Sequence, residues 1–190
     1  MSEFILRVGH EVPETDAEGP GRRYAIWVQG CTLLCPGCCN PELFSAEGGT
    51  PVHVNDLLER ILATDVEGIS LLGGEPLQQP VALAELCRRT REAGLSVMIF
   101  SGYTIEEIRQ LDGGNDVLAW TDLLVDGRYD RSQPDEVRRW IGSRNQRLHF
   151  LTDRYHENDP QFVSPDSIEI RLSGGELTIN GRPWGRGLPQ

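Results

Sequence analysis

The chain alternates short apolar runs with longer amphipathic stretches. The short runs are rich in valine, isoleucine and leucine and stop at glycine or at a polar residue, as buried strands do. They predict strands at 24–29, 68–72, 95–100, 122–126 and 147–151. The stretches between them place apolar residues at helical spacing. They predict helices over 55–64, from Pro80 to about Ala93, from Thr104 to Leu111, and after Pro134, where Val137, Trp140 and Ile141 would be buried.

Strands that alternate with helices at this spacing indicate an α/β protein with a parallel sheet. About five strands are too few for a closed barrel of eight units, which takes roughly 250 residues. The predicted fold is therefore a partial (β/α) barrel or an open, mostly parallel sheet. Residues 168–172 and 177–181, separated by two glycines, predict a β-hairpin. We therefore expect a core domain over 1–151, a C-terminal extension with this hairpin over 152–190, and a loop over the acidic segment 11–22.

Charge and composition narrow the possible classes of function. The 190 residues carry 29 acidic and 18 basic side chains, a formal net charge of −11, which argues against a nucleic-acid-binding surface. All basic residues are arginine, which excludes a Schiff-base lysine, a lysine general base and a P-loop lysine. No run approaches the length of a membrane-spanning helix, and the N-terminus lacks the pattern of a signal peptide. We expect a cytoplasmic protein that does not bind membranes and whose thiols stay reduced.

Four of the five cysteines lie within nine residues. Cys31, Cys35 and Cys38 have the spacing C-x3-C-x2-C, and Cys39 follows directly. In a reducing compartment, clustered thiols hold a metal or do redox chemistry more often than they form disulfides. A structural zinc needs a fourth ligand, and Cys39 suits that role poorly because neighbouring side chains diverge. A four-iron cluster held by three cysteines leaves one iron open for a substrate or cofactor. Cys87, alone in an apolar stretch, is interpreted as a buried core residue.

A second motif stands at the end of the next predicted strand. Gly73-Gly74-Glu75-Pro76 follows directly after residues 68–72. Glycines at the carboxyl end of a strand allow the backbone to come close to a ligand, and a carboxylate or carbonyl suits an ammonium group. Without the cysteines, an ordinary strand-to-loop turn would be the preferred interpretation.

Together these motifs resemble those of the radical S-adenosylmethionine (SAM) superfamily. Within it, the chain is similar to the anaerobic ribonucleotide reductase activating proteins. The resemblance covers roughly residues 19–150. The matching segments occur in the family's order and are GPGRRYAIWVQGC (19–31), CPGCCNPE (35–42), ISLLGGEP (69–76), FSGYT (100–104), DLLVDGRY (122–129) and GSRNQR (142–147).

The resemblance implies a [4Fe-4S] cluster and a bound SAM. Cys31, Cys35 and Cys38 would each ligate one iron, and the fourth iron would take the amino and carboxylate groups of SAM. The other implied cofactor contacts are Gly73, Gly74 and Glu75 at the SAM amino group, Gly37 and Cys39 at its adenosine part, and Ser101 at the ribose or carboxylate. For Ser101, a simple β-to-α turn leading to the helix cap at Thr104 is an equal alternative.

The implied reaction is reductive cleavage of SAM to methionine and a 5′-deoxyadenosyl radical, which then removes a hydrogen atom from a target. In the family, that target is a glycine of the anaerobic ribonucleoside-triphosphate reductase, and a flavodoxin- or ferredoxin-type protein supplies the electron. The chain offers no nucleophile–base pair or carboxylate dyad, so no catalytic residue beyond the cluster and SAM is predicted. Two hypotheses stand beside this one: a radical SAM enzyme that modifies a peptide or small molecule, and a non-catalytic zinc or iron–sulfur module.

Overall fold

The computed structural model describes residues 4–164, 167–173 and 176–181, and these form nine strands and five α-helices. The strands are β1 (Ile5–Thr15), β2 (Arg23–Val28), β3 (Thr50–His53), β4 (Gly68–Gly73), β5 (Ser96–Phe100), β6 (Leu123–Asp126), β7 (Arg147–Phe150), β8 (Ile168–Ser173) and β9 (Glu176–Gly181). The helices are α1 (Val54–Leu62), α2 (Pro80–Glu92), α3 (Ile105–Ile108), α4 (Gly114–Leu118) and α5 (Pro160–Val163). Residues 182–190 of the expected extension lie outside the described part.

Seven strands form one open sheet in the order β3-β1-β2-β4-β5-β6-β7. The four central strands β2, β4, β5 and β6 are parallel neighbours. At the edges, β1 runs antiparallel to both β2 and β3, and β7 runs antiparallel to β6. Strands β8 and β9 pair with each other as a separate hairpin. The predicted α/β class, with an open and mostly parallel sheet and a C-terminal hairpin, is confirmed.

The two faces of the sheet are covered by different parts of the chain, since successive strand residues point to opposite sides. On one face, Ile26, Leu71 and Ile99 pack against helix residues such as Leu83 and Leu86. On the opposite face, a smaller apolar cluster joins strand residues to the chain that follows β6. Its members are Met98, Leu123, Val125, Ile141 and Tyr155, with Trp140 and Phe162 packed against them. The segments after residue 150 are therefore bound to the core.

The sequence pattern missed β1 and β3, and the predicted loop over 11–22 is wrong in its first part, because residues up to Thr15 belong to β1. Strand β1 is half exposed and carries acidic side chains, so its composition is that of a loop. Glu11 accepts hydrogen bonds from the Tyr24 hydroxyl at 2.6 Å and from Arg60 at 2.7 Å. Pairing with β2 overrides the weak local signal for a strand.

The helix predicted after Pro134 is also wrong. Residues 136–140 form bends and a turn, and Val137 is 91% exposed. Pro134 instead makes an isolated β-bridge with Ser143, and Trp140 has a left-handed backbone with φ of 60°. Ile141 is buried as expected, but a turn places it there and not a helix. Helix α3 begins at the predicted Thr104–Glu107 capping box but ends at Ile108, before the predicted Leu111.

A buried arginine ties together the amino ends of three central strands. Arg23, at the start of β2, is fully buried. Its guanidinium donates to Ser70 Oγ on β4 at 3.2 Å, to the Ile69 carbonyl and to Ser96 Oγ on β5. The Tyr155 hydroxyl lies 3.4 Å away, so the chain after β7 joins the same network. A planar group with five donors suits this position because it serves several acceptors at once.

We expect Arg23→Met to lower the free energy of unfolding by about 3 kcal/mol, because the buried acceptors on β4 and β5 lose their donor. The matched control is Arg22→Met, since Arg22 is exposed and makes a long 3.6 Å ion pair with Asp16. Its effect should stay within about 0.5 kcal/mol. Urea unfolding measures both variants. Equally small losses of unfolding free energy in the two variants would show that the Arg23 network contributes little to stability.

Candidate iron–sulfur site at the carboxyl edge of the sheet

The cysteine loop leaves the end of β2 and returns to the same place. The amide of Gly30 donates to the Leu43 carbonyl at 2.9 Å, and the amide of Cys31 donates to the Phe44 carbonyl at 3.1 Å. Leu43 is buried in an apolar cluster with Trp27 and Ala25 on β2. The two ends of the loop are therefore held together at the carboxyl edge of the sheet, where parallel α/β sheets bind their ligands.

The three predicted ligands lie on this loop, and each is partly buried. Burial raises the pKa of the Cys35 thiol, and the nearby thiols of Cys31 and Cys38 raise it further. The loop turns tightly after Cys35, because the Cys38 amide donates to the Cys35 carbonyl at 3.1 Å. Within residues 4–164, 167–173 and 176–181, no group of three or more histidine, cysteine, aspartate or glutamate side chains is arranged to hold a metal ion.

The neighbouring cysteine interacts with the last of the three. The exposed Cys39 thiol donates to Cys38 Sγ, which lowers the pKa of Cys38 to about 6 and raises that of Cys39. The Asn40 amide also approaches Cys38 Sγ, at 3.5 Å. Cys87 is fully buried in the core under the sheet, as its apolar surroundings in the sequence indicate, and burial raises the pKa of its thiol.

The Gly73-Gly74-Glu75 segment is joined directly to the start of the cysteine loop. The Gly74 amide donates to the Val28 carbonyl and the Glu75 amide to the Gly30 carbonyl, each at 2.8 Å. A Cβ on Gly74 would lie 2.3 Å from the Gly30 carbonyl oxygen, and one on Gly73 would lie 2.7 Å from Trp27 Cα. Gly73 also has a φ of 104°. The close approach that these glycines permit is therefore made to the backbone of β2 and the loop after it.

The Glu75 side chain is buried and links two loops. Its carboxylate accepts from the Leu77 amide at 3.0 Å, from Ser101 Oγ at 2.8 Å and from the Gly102 amide at 2.8 Å. Burial raises the pKa of Glu75 to about 7, although all three donors act in the opposite direction. The carboxylate thus fixes the loop after β5 against the loop after β4.

Ser101 stabilises both the contact with Glu75 and the turn that follows Ser101. Its hydroxyl donates to Glu75 and accepts from the Tyr103 amide at 3.0 Å, and the residue is buried. Thr104 then caps α3 with a complete capping box. Gly37, on the cysteine loop, has a φ of 79° and packs against the Arg131 side chain. The predicted site residues after β2, β4 and β5 therefore meet at one edge of the sheet.

Sequence reasoning missed two residues that contact this site, although it quoted their segment (122–129). The Tyr129 amide lowers the pKa of Cys35, and the positive charge of Arg128 lowers the pKa of both Cys35 and Glu75. Arg128 is held by Glu107 at 2.9 Å and lies over the Tyr103 ring. Their signal was their position directly after β6, the fourth strand whose end reaches this edge.

Gln78 was missed as well. Its amide donates to Thr32 Oγ1 at 2.6 Å and accepts from the Thr32 amide at 3.2 Å. It also approaches the Tyr103 hydroxyl at 3.3 Å. One side chain thus joins the cysteine loop, the loop after β4 and the loop after β5. The position of Gln78 directly after the glycine motif was the available signal.

Comparison with known proteins identifies a family and several relatives. Residues 17–149 match the family described as the 4Fe-4S single cluster domain. The anaerobic ribonucleoside-triphosphate reductase-activating protein of Enterobacteria phage T4 is 32% identical over 148 residues, which cover 74% of this chain and 92% of the relative. The protein of the same name from Escherichia coli K12 is 31% identical over 150 residues, covering 73% and 95%. Among solved structures, QueE from Escherichia coli has a TM-score of 0.44 and 17% identity over 53% of each chain.

The match over residues 17–149 makes this a protein of the single-cluster [4Fe-4S] class. More narrowly, the chain belongs to the family of anaerobic ribonucleoside-triphosphate reductase-activating proteins, within the radical SAM superfamily. It is therefore an enzyme of the radical SAM type. No helix in the part of the chain that the structure describes is long and apolar enough to cross a membrane.

We expect Glu75→Ala to lower the free energy of unfolding by about 2–3 kcal/mol, because the buried Leu77 amide and the partly buried Gly102 amide lose their acceptor. The matched control is Ser101→Ala, which removes one of the three donors and should cost only about 1 kcal/mol. Urea unfolding compares them. A Glu75→Ala loss no larger than that of Ser101→Ala would contradict the linking role of the carboxylate.

The pH dependence of stability gives a second test. Between about pH 4.5 and 7, Glu75 has lost its proton in the unfolded chain but keeps it in the folded one. Since the folded state then binds more protons, stability falls as the pH rises through this range. Glu75→Gln does not titrate at this position, so the wild type should lose stability relative to this variant across that range. A difference that stays constant with pH would contradict the raised pKa.

Proposed function

We propose that this enzyme reductively cleaves SAM and uses the resulting radical to generate a glycyl radical on an anaerobic ribonucleoside-triphosphate reductase. The observation that carries the proposal is the main-chain junction between the cysteine loop and the Gly73-Gly74-Glu75 turn. This junction holds the start of the cysteine loop beside a turn suited to an amino acid. The names of the curated relatives support the reductase as the partner.

The donor set fits a [4Fe-4S] cluster bound by Cys31, Cys35 and Cys38. Three thiols on one loop, close enough to raise the pKa of one of them, supply the soft sulfur ligands that such clusters take. The Asn40 amide points at Cys38 Sγ, and hydrogen bonds of this kind tune clusters. With three ligands from the loop, one iron stays open for SAM.

Several side chains around the junction suit the polar groups of SAM. The Glu75 carboxylate already has three donors, so main-chain carbonyls of Gly73 and Gly74 are left to hold the ammonium group. Arg128 brings a positive charge next to Cys35 and suits the SAM carboxylate. Gly37 and Cys39 would contact the adenosine part. Ser101 acts through Glu75, and we assign it a positioning role.

A cluster held by Cys31, Cys35 and Cys38 would supply the one electron that cleavage of SAM to methionine and a 5′-deoxyadenosyl radical requires. The protein positions the cosubstrate and excludes water from the reactive group. Trp27, Leu72 and Phe100 project from the ends of β2, β4 and β5 on the face opposite the helices. This apolar surface next to the cysteine loop suits a site that must protect a radical.

The remaining parts of the proposal concern organisation and location. We divide the chain into a radical SAM core over 1–151 and an extension over 152–190. The extension is tied to the core where the Gly181 amide donates to Glu18 at 2.6 Å. A low-potential flavodoxin- or ferredoxin-type donor and a reduced cluster both require a reducing compartment, so we place the enzyme in the cytoplasm.

We expect Cys35→Ala to abolish both cluster binding and 5′-deoxyadenosine formation, because the cluster loses one of three ligands. The assay is anaerobic reconstitution with iron and sulfide, followed by iron analysis and by product detection after SAM and dithionite are added. Cys39→Ala is the matched control in the same loop, and it should keep its iron. Loss of iron from Cys39→Ala but not from Cys35→Ala would overturn the ligand assignment.

The partner is tested separately. We expect the reconstituted enzyme, incubated with SAM, dithionite and an anaerobic ribonucleoside-triphosphate reductase, to give a glycyl-radical signal in the electron paramagnetic resonance spectrum of the reductase. A reductase variant with its radical glycine replaced by alanine is the control. Formation of 5′-deoxyadenosine without any radical on the reductase would favour a peptide or small-molecule substrate. No SAM cleavage even with the reductase present would favour a non-catalytic module.

A further inference from the structure

We propose that Gln29 is a positioning residue for the cluster. Its buried side-chain amide holds the returning arm of the cysteine loop, residues 42–45, against the end of β2, where the loop begins. The inference rests on the proposed function, because it concerns a cluster bound by Cys31, Cys35 and Cys38. It deepens that function by assigning the spacing of these thiols to a residue that does not itself bind iron.

Gln29 lies at the point where strand β2 becomes the cysteine loop. It follows β2 directly, stands two residues before the first predicted ligand, Cys31, and is buried. Its main chain is held on two sides. The Gln29 amide donates to the Arg7 carbonyl at 2.9 Å, and the Gln29 carbonyl accepts from Gln79 Nε2 at 3.1 Å. The backbone from which the side chain extends is therefore anchored to β1 and to the segment after β4.

The Gln29 side chain reaches across to the returning arm. Its Nε2 atom donates to the Ser45 carbonyl at 2.7 Å and approaches the Glu42 carbonyl at 3.4 Å. The main-chain amides of Gly30 and Cys31 donate to the two carbonyls that lie between these residues. Four consecutive carbonyls of the returning arm are therefore bonded to the start of the loop, and Gln29 supplies the donor for the outer two.

Three glycines leave the space that the Gln29 side chain fills. A Cβ on Gly48 would lie 2.8 Å from Gln29 Nε2, and one on Gly49 would lie 2.8 Å from Gln29 Cβ. A Cβ on Gly9 of β1 would lie 3.0 Å from Gln29 Oε1. Burying an amide costs free energy unless the amide is hydrogen-bonded, and an apolar side chain would avoid that cost. The presence of glutamine in this closely fitted space therefore points to its hydrogen bonds with the arm and not to packing alone.

These hydrogen bonds bear on the ligands because the ligand-bearing part of the loop has little structure of its own. Residues 31–40 form turns and bends but neither helix nor strand. Three thiols that must meet one cluster need the two ends of such a loop at a fixed separation, since a loop with free ends samples many spacings. Groups that orient metal ligands without binding the metal change metal affinity by roughly 10- to 100-fold when they are lost. Gln29 would act on the cluster in this way, through the ends of the loop.

The experiment measures how fast the reconstituted cluster loses iron to an iron chelator under anaerobic conditions. The first variant is Gln29→Met, which keeps the length of the side chain and removes its amide. The second is Gly48→Ala, which keeps Gln29 but displaces its amide. Gly48 does not have a left-handed backbone, so alanine is allowed there. We expect iron loss to become about tenfold faster in both variants, because the ends of the loop are held less firmly.

The matched control is Thr121→Val, which removes another buried side-chain donor to a main-chain carbonyl, at the amino edge of the sheet. The Thr121 hydroxyl donates to the Val117 carbonyl at 2.8 Å. We expect this control to lose stability in urea unfolding, as Gln29→Met does, but to release iron at the wild-type rate.

The proposal is overturned if Gln29→Met or Gly48→Ala releases iron at the wild-type rate, or if Thr121→Val releases it as fast as they do. Gly48→Ala decides the question if Gln29→Met does not fold. A wild-type protein that binds no cluster overturns both this proposal and the proposed function. A wild-type cluster that is retained but leaves SAM intact counts against the proposed function alone, because the readout here is iron release and not SAM cleavage.

Discussion

The site depends on one close approach between two backbones. The turn after β4 lies so near the end of β2 that the Gly30 carbonyl oxygen occupies the space where a side chain of residue 74 would begin. Two 2.8 Å main-chain hydrogen bonds then join the turn to the residues that lead into Cys31. Only glycine fits at position 74. The cysteine loop and the glycine turn cannot separate without losing these two hydrogen bonds. The start of the cysteine loop is thereby fixed to the centre of the sheet.

Two buried ionisable side chains link the central strands, one at each edge of the sheet. At the amino edge, Arg23 joins β2 to β4 and β5 through several acceptors. At the carboxyl edge, Glu75 joins the loops that follow β4 and β5. Burying either group is costly, and each is retained where a single side chain satisfies partners on several segments. The candidate site thus lies at an edge whose loops are hydrogen-bonded to one another. A site that must exclude water requires such an arrangement.

Much of the central sheet could be predicted from the sequence, because its strands are buried on both faces and give continuous apolar runs. The spacing of Cys31, Cys35 and Cys38 and the glycine motif likewise indicated the family, and they define the candidate site. Strand β1 and the turns after Pro134 escaped prediction, since pairing with distant residues decides their conformation and not local composition. The contacts of Arg128 and Tyr129 with the cysteine loop also required the fold, as nearly a hundred residues separate them from Cys35 along the chain.

The central claim is that three cysteines hold a four-iron cluster whose fourth iron is open to SAM. Mössbauer spectroscopy of protein reconstituted with ⁵⁷Fe, recorded before and after SAM is added, tests this most directly. The account predicts a [4Fe-4S] spectrum in which one iron differs from the other three and shifts when SAM binds. Four irons that do not respond to SAM, or a loop that binds zinc and forms no cluster, would contradict it.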